Sequence, residues 1–315
     1  MHATVQAATE RPQLARDVTS PCPRSQPSAE WRLTEEKQFF LHDPPNSFTG
    51  LYRTQGIATD GRRWFFSWQY GLEIADESFR SVLRNSSFRP PKNLVPGIPA
   101  SLFARGLDHI GDIDYHNGII YASLDTTQGY TDGHVALYSA SDLSFTGTVF
   151  DLKGSPANPK NDVASWVAVD ATRNRGFGKE WQRGTTLNVY NLSDWSFQHT
   201  LTLDRALERI QGAKVHGDWL YMAADDATKS VYRANLLSGH VEELFRLPTP
   251  SGKREVEGIA VRPTDSSNGA REECDDEDVD LYVEVVVDPD HSGQDPTNPH
   301  VHVSLYHYRS AARGD

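Results

Sequence analysis

Gln55-Gly56-Ile57-Ala58, Gly111-Asp112-Ile113-Asp114, Ser165-Trp166-Val167-Ala168, Gln211-Gly212-Ala213-Lys214 and Glu257-Gly258-Ile259-Ala260 share one pattern. Each has a small or polar residue, then an apolar residue inside a short alternating run. Aligned on Ile57, Ile113, Val167, Ala213 and Ile259, the segments recur at intervals of 56, 54, 46 and 46 residues. A period of that length suits one four-stranded sheet with its loops, repeated around a ring.

The same succession follows each segment. A turn such as Thr59-Asp60-Gly61 or Tyr115-His116-Asn117-Gly118 leads into a second strand, as in Trp64–Trp68, Ile119–Ser123, Gly176–Glu180, Trp219–Ala223 and Leu281–Val285. Third strands read clearly over Val135–Ser139, Leu187–Asn191, Ser230–Ala234 and Val301–Tyr308, and fourth strands over Thr146–Leu152 and Gln198–Leu203. Asp, Asn, Gly and Ser at the joints are hairpin-turn chemistry. The fifth repeat ends at the C-terminus with its third strand, while an orphan run from Trp31 to Phe40 belongs to no repeat. Pairing the orphan with the incomplete repeat removes two exposed sheet edges at once. The expected fold is therefore all-β: a five-bladed β-propeller of four-stranded antiparallel blades, closed by its N-terminal strand. It fills residues 29–315 as a single domain, behind an N-terminal tail (1–28) that shows no apolar period.

Composition agrees. Seven Trp, 12 Tyr and 13 Phe against 2 Met favour pleated sheet. No apolar run is long enough to cross a bilayer, which argues against a membrane partner. A net charge of −12 argues against a nucleic-acid partner. The expected partner is a small molecule or oligosaccharide, bound by a monomer. The only two cysteines, Cys22 and Cys274, fall by topology at the lower face of blade five and are expected to form a disulfide. That bridge would imply an oxidising compartment, and the expected location is extracellular (a secreted protein), with the export signal absent or removed. The sequons at Asn85 and Asn191 arise often by chance and say little about the compartment.

In this topology the starts of first strands and the ends of second strands converge on one face, the upper one. Gln55, Gly111, Ser165, Gln211 and Glu257 are equivalent there, with Arg53, His109, Arg209 and Glu255 two residues earlier. Second strands end at Gln69, Asp125, Glu180, Asp225 and Asp288, so four of five equivalent positions are carboxylates. Turn preference alone also favours Asp at such ends. Asp108–Asp114 is the most distinctive segment, because it sends His109 and Asp112 towards the axis together; such a His suits metal ligation or acid–base work near neutral pH. The expected catalytic residues are His109, Asp112 and Tyr130. Arg53, Gln55, Asp125, His134, Glu180, Trp181, Arg183, Gln211 and Asp225 are expected to bind substrate. The oxygen-rich set Asp112, Glu257 and Asp288 would favour calcium over zinc. No nucleotide, flavin or haem is expected, since no phosphate-cradling glycine loop is present.

By its repeats the chain resembles the propellers that include five-bladed glycoside hydrolases and calcium-dependent lactonases and esterases. Glu257-Gly258-Ile259 resembles the channel-lining glutamate strand of the lactonase type. In the glycosidases inner-strand acids come from several blades; here only Asp112, Asp114, Glu255 and Glu257 qualify, from two. The resemblance implies an enzyme acting on a carbohydrate or a related ester or lactone, as hydrolase or uronate-directed lyase. A lyase would use Arg183 to neutralise the uronate carboxylate. The alternative is a non-catalytic propeller that binds a sugar or protein on the same face.

Overall fold

The computed structural model describes residues 30–43, 47–89, 93–156, 164–248, 252–264, 279–288 and 297–311. Strand β1 (Glu30–Phe40) precedes blade one, which comprises β2 (Gly56–Thr59), β3 (Trp64–Trp68), β4 (Gly71–Ala75) and β5 (Ser81–Arg84). A hairpin, β6 (Ser87–Arg89) and β7 (Asn93–Val95), and one helical turn, α1 (Ala100–Phe103), separate it from blade two, which explains the longest repeat interval. Blade two is β8 (His109–His116), β9 (Ile119–Asp125), β10 (His134–Ser139) and β11 (Phe145–Asp151). Blade three is β12 (Ala168–Asp170), β13 (Arg175–Gly178), β14 (Gly184–Asn191) and β15 (Phe197–Leu207). Blade four is β16 (Ile210–His216), β17 (Trp219–Ala224), β18 (Ser230–Asn235) and β19 (Val241–Arg246). Blade five is β20 (Lys253–Pro263), β21 (Val279–Asp288) and β22 (His302–Ala311), completed by β1. All five sheets are antiparallel and four-stranded, and β1 pairs with β22 from Trp31↔Ser310 to Phe40↔His302. The chain is a five-bladed β-propeller closed as the orphan strand required. Cys22, Cys274 and the tail lie outside the described residues.

Strand alternation builds the core. In β3 the Phe65 ring enters the cluster shared with blade two, while Trp64 and Phe66 enter the cluster shared with blade five. In β17 Leu220 and Met222 face blade three, and Tyr221 and Ala223 face blade five. Five such apolar clusters fill the five interfaces between neighbouring blades. Period-two side-chain direction thus converts one sequence pattern into two buried faces per blade. Hairpin turns read as expected: Asn117 (φ 46°) and Gly118 (φ 83°) make the left-handed pair that a tight two-residue turn demands.

At the axis the inner strands come closer than side chains allow. A Cβ on Gly111 would lie 2.3 Å from the Ser165 carbonyl oxygen, and one on Gly258 would lie 2.6 Å from the Gly56 Cα. Blade three differs from its sequence reading here. Ser165-Trp166 is irregular and β12 starts only at Ala168, because the Ser165 carbonyl accepts the Asp112 amide (2.9 Å) from the neighbouring blade. Gly111→Ala is therefore expected to destabilise the fold by about 2–3 kcal/mol through overpacking. Equilibrium denaturation with an unchanged m-value checks it; a loss below about 0.5 kcal/mol would mean that the inner strands separate freely.

Candidate functional site

His109 opens β8 opposite the last residue of β9, Asp125, in the cross-strand register. Its Nδ1 lies 2.8 Å from Asp125 Oδ1 and its Nε2 lies 3.1 Å from Gln55 Oε1 of blade one. Both ring nitrogens thus face oxygen acceptors, which a protonated imidazole satisfies; turning the Gln55 amide presents a donor to Nε2 and satisfies the neutral ring. Asp125 is 1% exposed. Burial pushes its carboxyl above the ordinary range, and the His109 hydrogen bond pulls it back. Tyr130, at φ 50° in the β9–β10 loop and half exposed, sets its ring edge-on to His109 at 5.5 Å. Three of the expected residues, His109, Asp125 and Gln55, therefore meet at the mouth of the axis, with Tyr130 as their outer wall.

The carboxylates that end the second strands are not solvated turn residues. Asp125, Glu180, Asp225 and Asp288 are all buried. Asp225 is neutralised by Arg209 and Lys229 and also accepts the Val256 amide at 2.9 Å. Arg209 takes φ 52°, donates its amide to the Trp181 carbonyl (2.8 Å), and holds its guanidinium 5.4 Å from the Trp181 ring. Trp181 is thus one half of a cation–π pair joining blades three and four. Beside it Lys179 is buried, donating to the Glu180 and Gln182 carbonyls at 3.0 and 2.8 Å, and burial pulls its ammonium down to about 8.

Glu257 sits where Gln55 sits in blade one, but it is buried. Burial first, then the nearby charges of Glu255 and Asp225, push its carboxyl well above the ordinary range. Glu255 is raised by burial and by Asp225. Burial among like charges disfavours the ionised form of such a carboxyl.

Other expected residues are engaged elsewhere. Asp112 spends its carboxylate on the ring itself: Oδ1 accepts the Ile57 amide (3.1 Å), and Oδ2 accepts the Ala213 amide (3.1 Å) and Lys214 Nζ (2.6 Å). Burial pushes Asp112 up to about 7 against the pull of Lys214. Asp114, two residues deeper, accepts the Val169 amide at 2.8 Å. Arg53 is wholly buried, paired with Glu73 at 2.8 Å and held 4.2 and 4.4 Å from the Phe39 and Phe66 rings, so it is spent inside the interface between blades one and five. His134 is buried at the start of a third strand, 3.2 Å from both Arg105 Nη2 and Asp151 Oδ1 and remote from the axis side of its blade. Arg183 is exposed and leans on Glu208 at 3.8 Å, and Gln211 is half-buried on the inner strand of blade four. Among the described residues no group of three or more His, Cys, Asp or Glu is arranged to hold a metal ion. With an ammonium already against Asp112, the set Asp112, Glu257 and Asp288 does not fit a calcium ion as it stands.

Lys214 and Glu284 are the residues that sequence reasoning passed over. Lys214 carried a signal: it fills the repeat position of Ala58, Asp114, Ala168 and Ala260, the cation facing an acid across the ring. Glu284 carried none, because its fully buried carboxyl arises from the centre of an apolar strand, with both oxygens lacking a partner among the described residues.

No family model and no curated protein sequence matches the chain. Solved structures do. Myxococcus xanthus glutaminyl cyclase superposes with a TM-score of 0.52 at 12% identity, over 91% of this chain and 100% of that one. The likeness is one of fold. Kuenenia stuttgartiensis hydrazine synthase (TM-score 0.38, 11% identity, 77% of this chain and 64% of that one) and Citrobacter koseri AztD (0.33, 13%, 63% and 49%) are more distant.

Burial raises Glu284 well above the ordinary carboxyl value, so the folded chain keeps a proton there that the unfolded chain releases near pH 4.5. The resulting stabilisation is complete below that pH and is lost as pH rises through the folded value. Glu284→Gln, the neutral isostere, is expected to remove up to about 1.4 kcal/mol per pH unit from the fall in stability between about pH 5 and 7. Urea melts across that range test it; parallel slopes for both proteins would show Glu284 ionised in the fold.

Proposed function

We propose that the chain is an enzyme working by acid–base chemistry at the upper face, with His109 as the group that moves the proton. The observation that carries this reading is the His109 ring itself, fixed by a buried carboxylate on Nδ1 and facing a rotatable amide on Nε2. In hydrolysis, Nε2 takes a proton from the attacking water and returns it to the leaving oxygen. Asp125 keeps Nδ1 protonated and stabilises the imidazolium formed in between. Glu257, as a neutral acid, donates a hydrogen bond to the oxygen that gains charge.

The substrate class is a carbohydrate or a related ester or lactone, opened as a hydrolase opens it. Tyr130 and the half-buried Trp181 supply aromatic surface for a sugar ring. Elimination from a uronate fits less well, since Arg183 leans on Glu208 and Arg209 is committed to Asp225. One fold neighbour is a glutaminyl cyclase, which adds a glutaminyl peptide to the substrates worth offering. Extracellular action and a Cys22–Cys274 disulfide belong to the same reading, and thiol titration of the denatured, unreduced chain would count no free thiols.

His109→Ala is expected to lower turnover by about 10²–10⁴ on whichever ester, lactone, glycoside or glutaminyl peptide the wild type consumes, with substrate binding retained. Product release and calorimetric binding measured side by side check it. Binding without product by the wild type would make the upper face a recognition surface. Equal turnover by both proteins would remove His109 from the reaction.

A further inference from the structure

We propose that a cleft on the lower face is a second ligand site, which takes a small organic oxyanion through Arg262. The cleft lies at the opposite end of the axis from His109, where the lower ends of blades five, one and two meet. Its volume is about 580 Å³, and its walls include Gly61, Tyr115, Arg262, Tyr282 and Arg309. That is room for a small molecule with an organic body, well beyond a bare ion.

The charge balance of its walls sets the sign of the ligand. Asp60 is consumed by its own turn, accepting the Arg62 and Arg63 amides at 2.9 and 2.6 Å and Arg63 Nε at 2.9 Å. Asp280 is held between Arg309 Nε at 3.3 Å and His307 Nε2 at 3.0 Å. Both acids among the described walls of the cleft are therefore committed. Arg262 is the exception: it is half-buried and meets no carboxylate among the described residues. Its guanidinium rests 5.9 Å from the Trp64 ring centroid, and its charge pulls down the Tyr282 phenol that burial raises.

The support behind it is rigid. Tyr282 stacks on His307 with centroids 4.3 Å apart and 4° between planes, and meets Trp64 edge-on at 4.6 Å. An arginine held against such a floor keeps its planar fork of donors in place, which suits a carboxylate or a phosphate ester and lowers the entropy lost on binding. Tyr115, stacked on Phe65 at 5.3 Å, is an equally fixed wall for the organic part.

Calorimetric titration of the full chain with benzoate, phenyl phosphate and neutral benzyl alcohol tests the site. The wild type and His109→Ala are expected to bind the two anions alike, more weakly as salt rises, and not the alcohol. Arg262→Gln is expected to lose at least about ten-fold in affinity. Arg262→Lys, which keeps the charge and loses the fork, falls between them and serves if the Gln variant does not fold. Absence of anion binding by the wild type at millimolar concentration, equal binding by Arg262→Gln, or loss in His109→Ala would each overturn the proposal.

Discussion

One residue joins four of the five blades. Asp112 projects from blade two, accepts amide protons from Ile57 of blade one and Ala213 of blade four, and pairs with Lys214, while its own amide reaches Ser165 of blade three. Blade five closes the circle by packing Gly258 against Gly56, an approach that leaves no room for a Cβ on Gly258. These contacts set how near the inner strands lie, and so where every other residue stands relative to the axis. A buried, hydrogen-bonded ion pair of this kind gains through geometry what it loses in hydration. Removing either partner would strand a charge in the interior.

The interior around this node is unusually acidic. Glu257, Glu284 and Asp112 influence one another's protonation, and burial raises all three. Closing the ring is what brings these carboxyls together, and it sets the Lys214 ammonium against Asp112.

The two faces are built differently. At the upper face, strand ends and inter-blade loops bring ionisable groups inwards, and two of the cations there, Arg209 and Lys229, are spent on Asp225. At the lower face, turns consume their own acids and leave Arg262 over an aromatic floor. A propeller can therefore carry chemistry at one end and recognition at the other, since each blade contributes a separate set of loops to each face.

The architecture was legible in the residues themselves. Alternation is a local property, so Trp64–Trp68 or Trp219–Ala223 declares a strand with two buried faces wherever it occurs. A missing strand and an orphan strand also match by counting alone. The His109–Asp125–Gln55 meeting was partly legible too, because register puts the start of a first strand beside the end of a second. Which polar residues would be spent on holding the ring together was not legible. Asp112 and Arg53 have the chemistry of site residues, yet the crossing of the axis commits one to Ala213 and Lys214, and the blade-five interface buries the other against Glu73 and Phe39. Such pairings join residues up to 102 positions apart, as Asp112 and Lys214 are. Sequence determines which groups each strand offers to the interior; only closure of the five blades decides which of them find a partner there and which remain for a ligand.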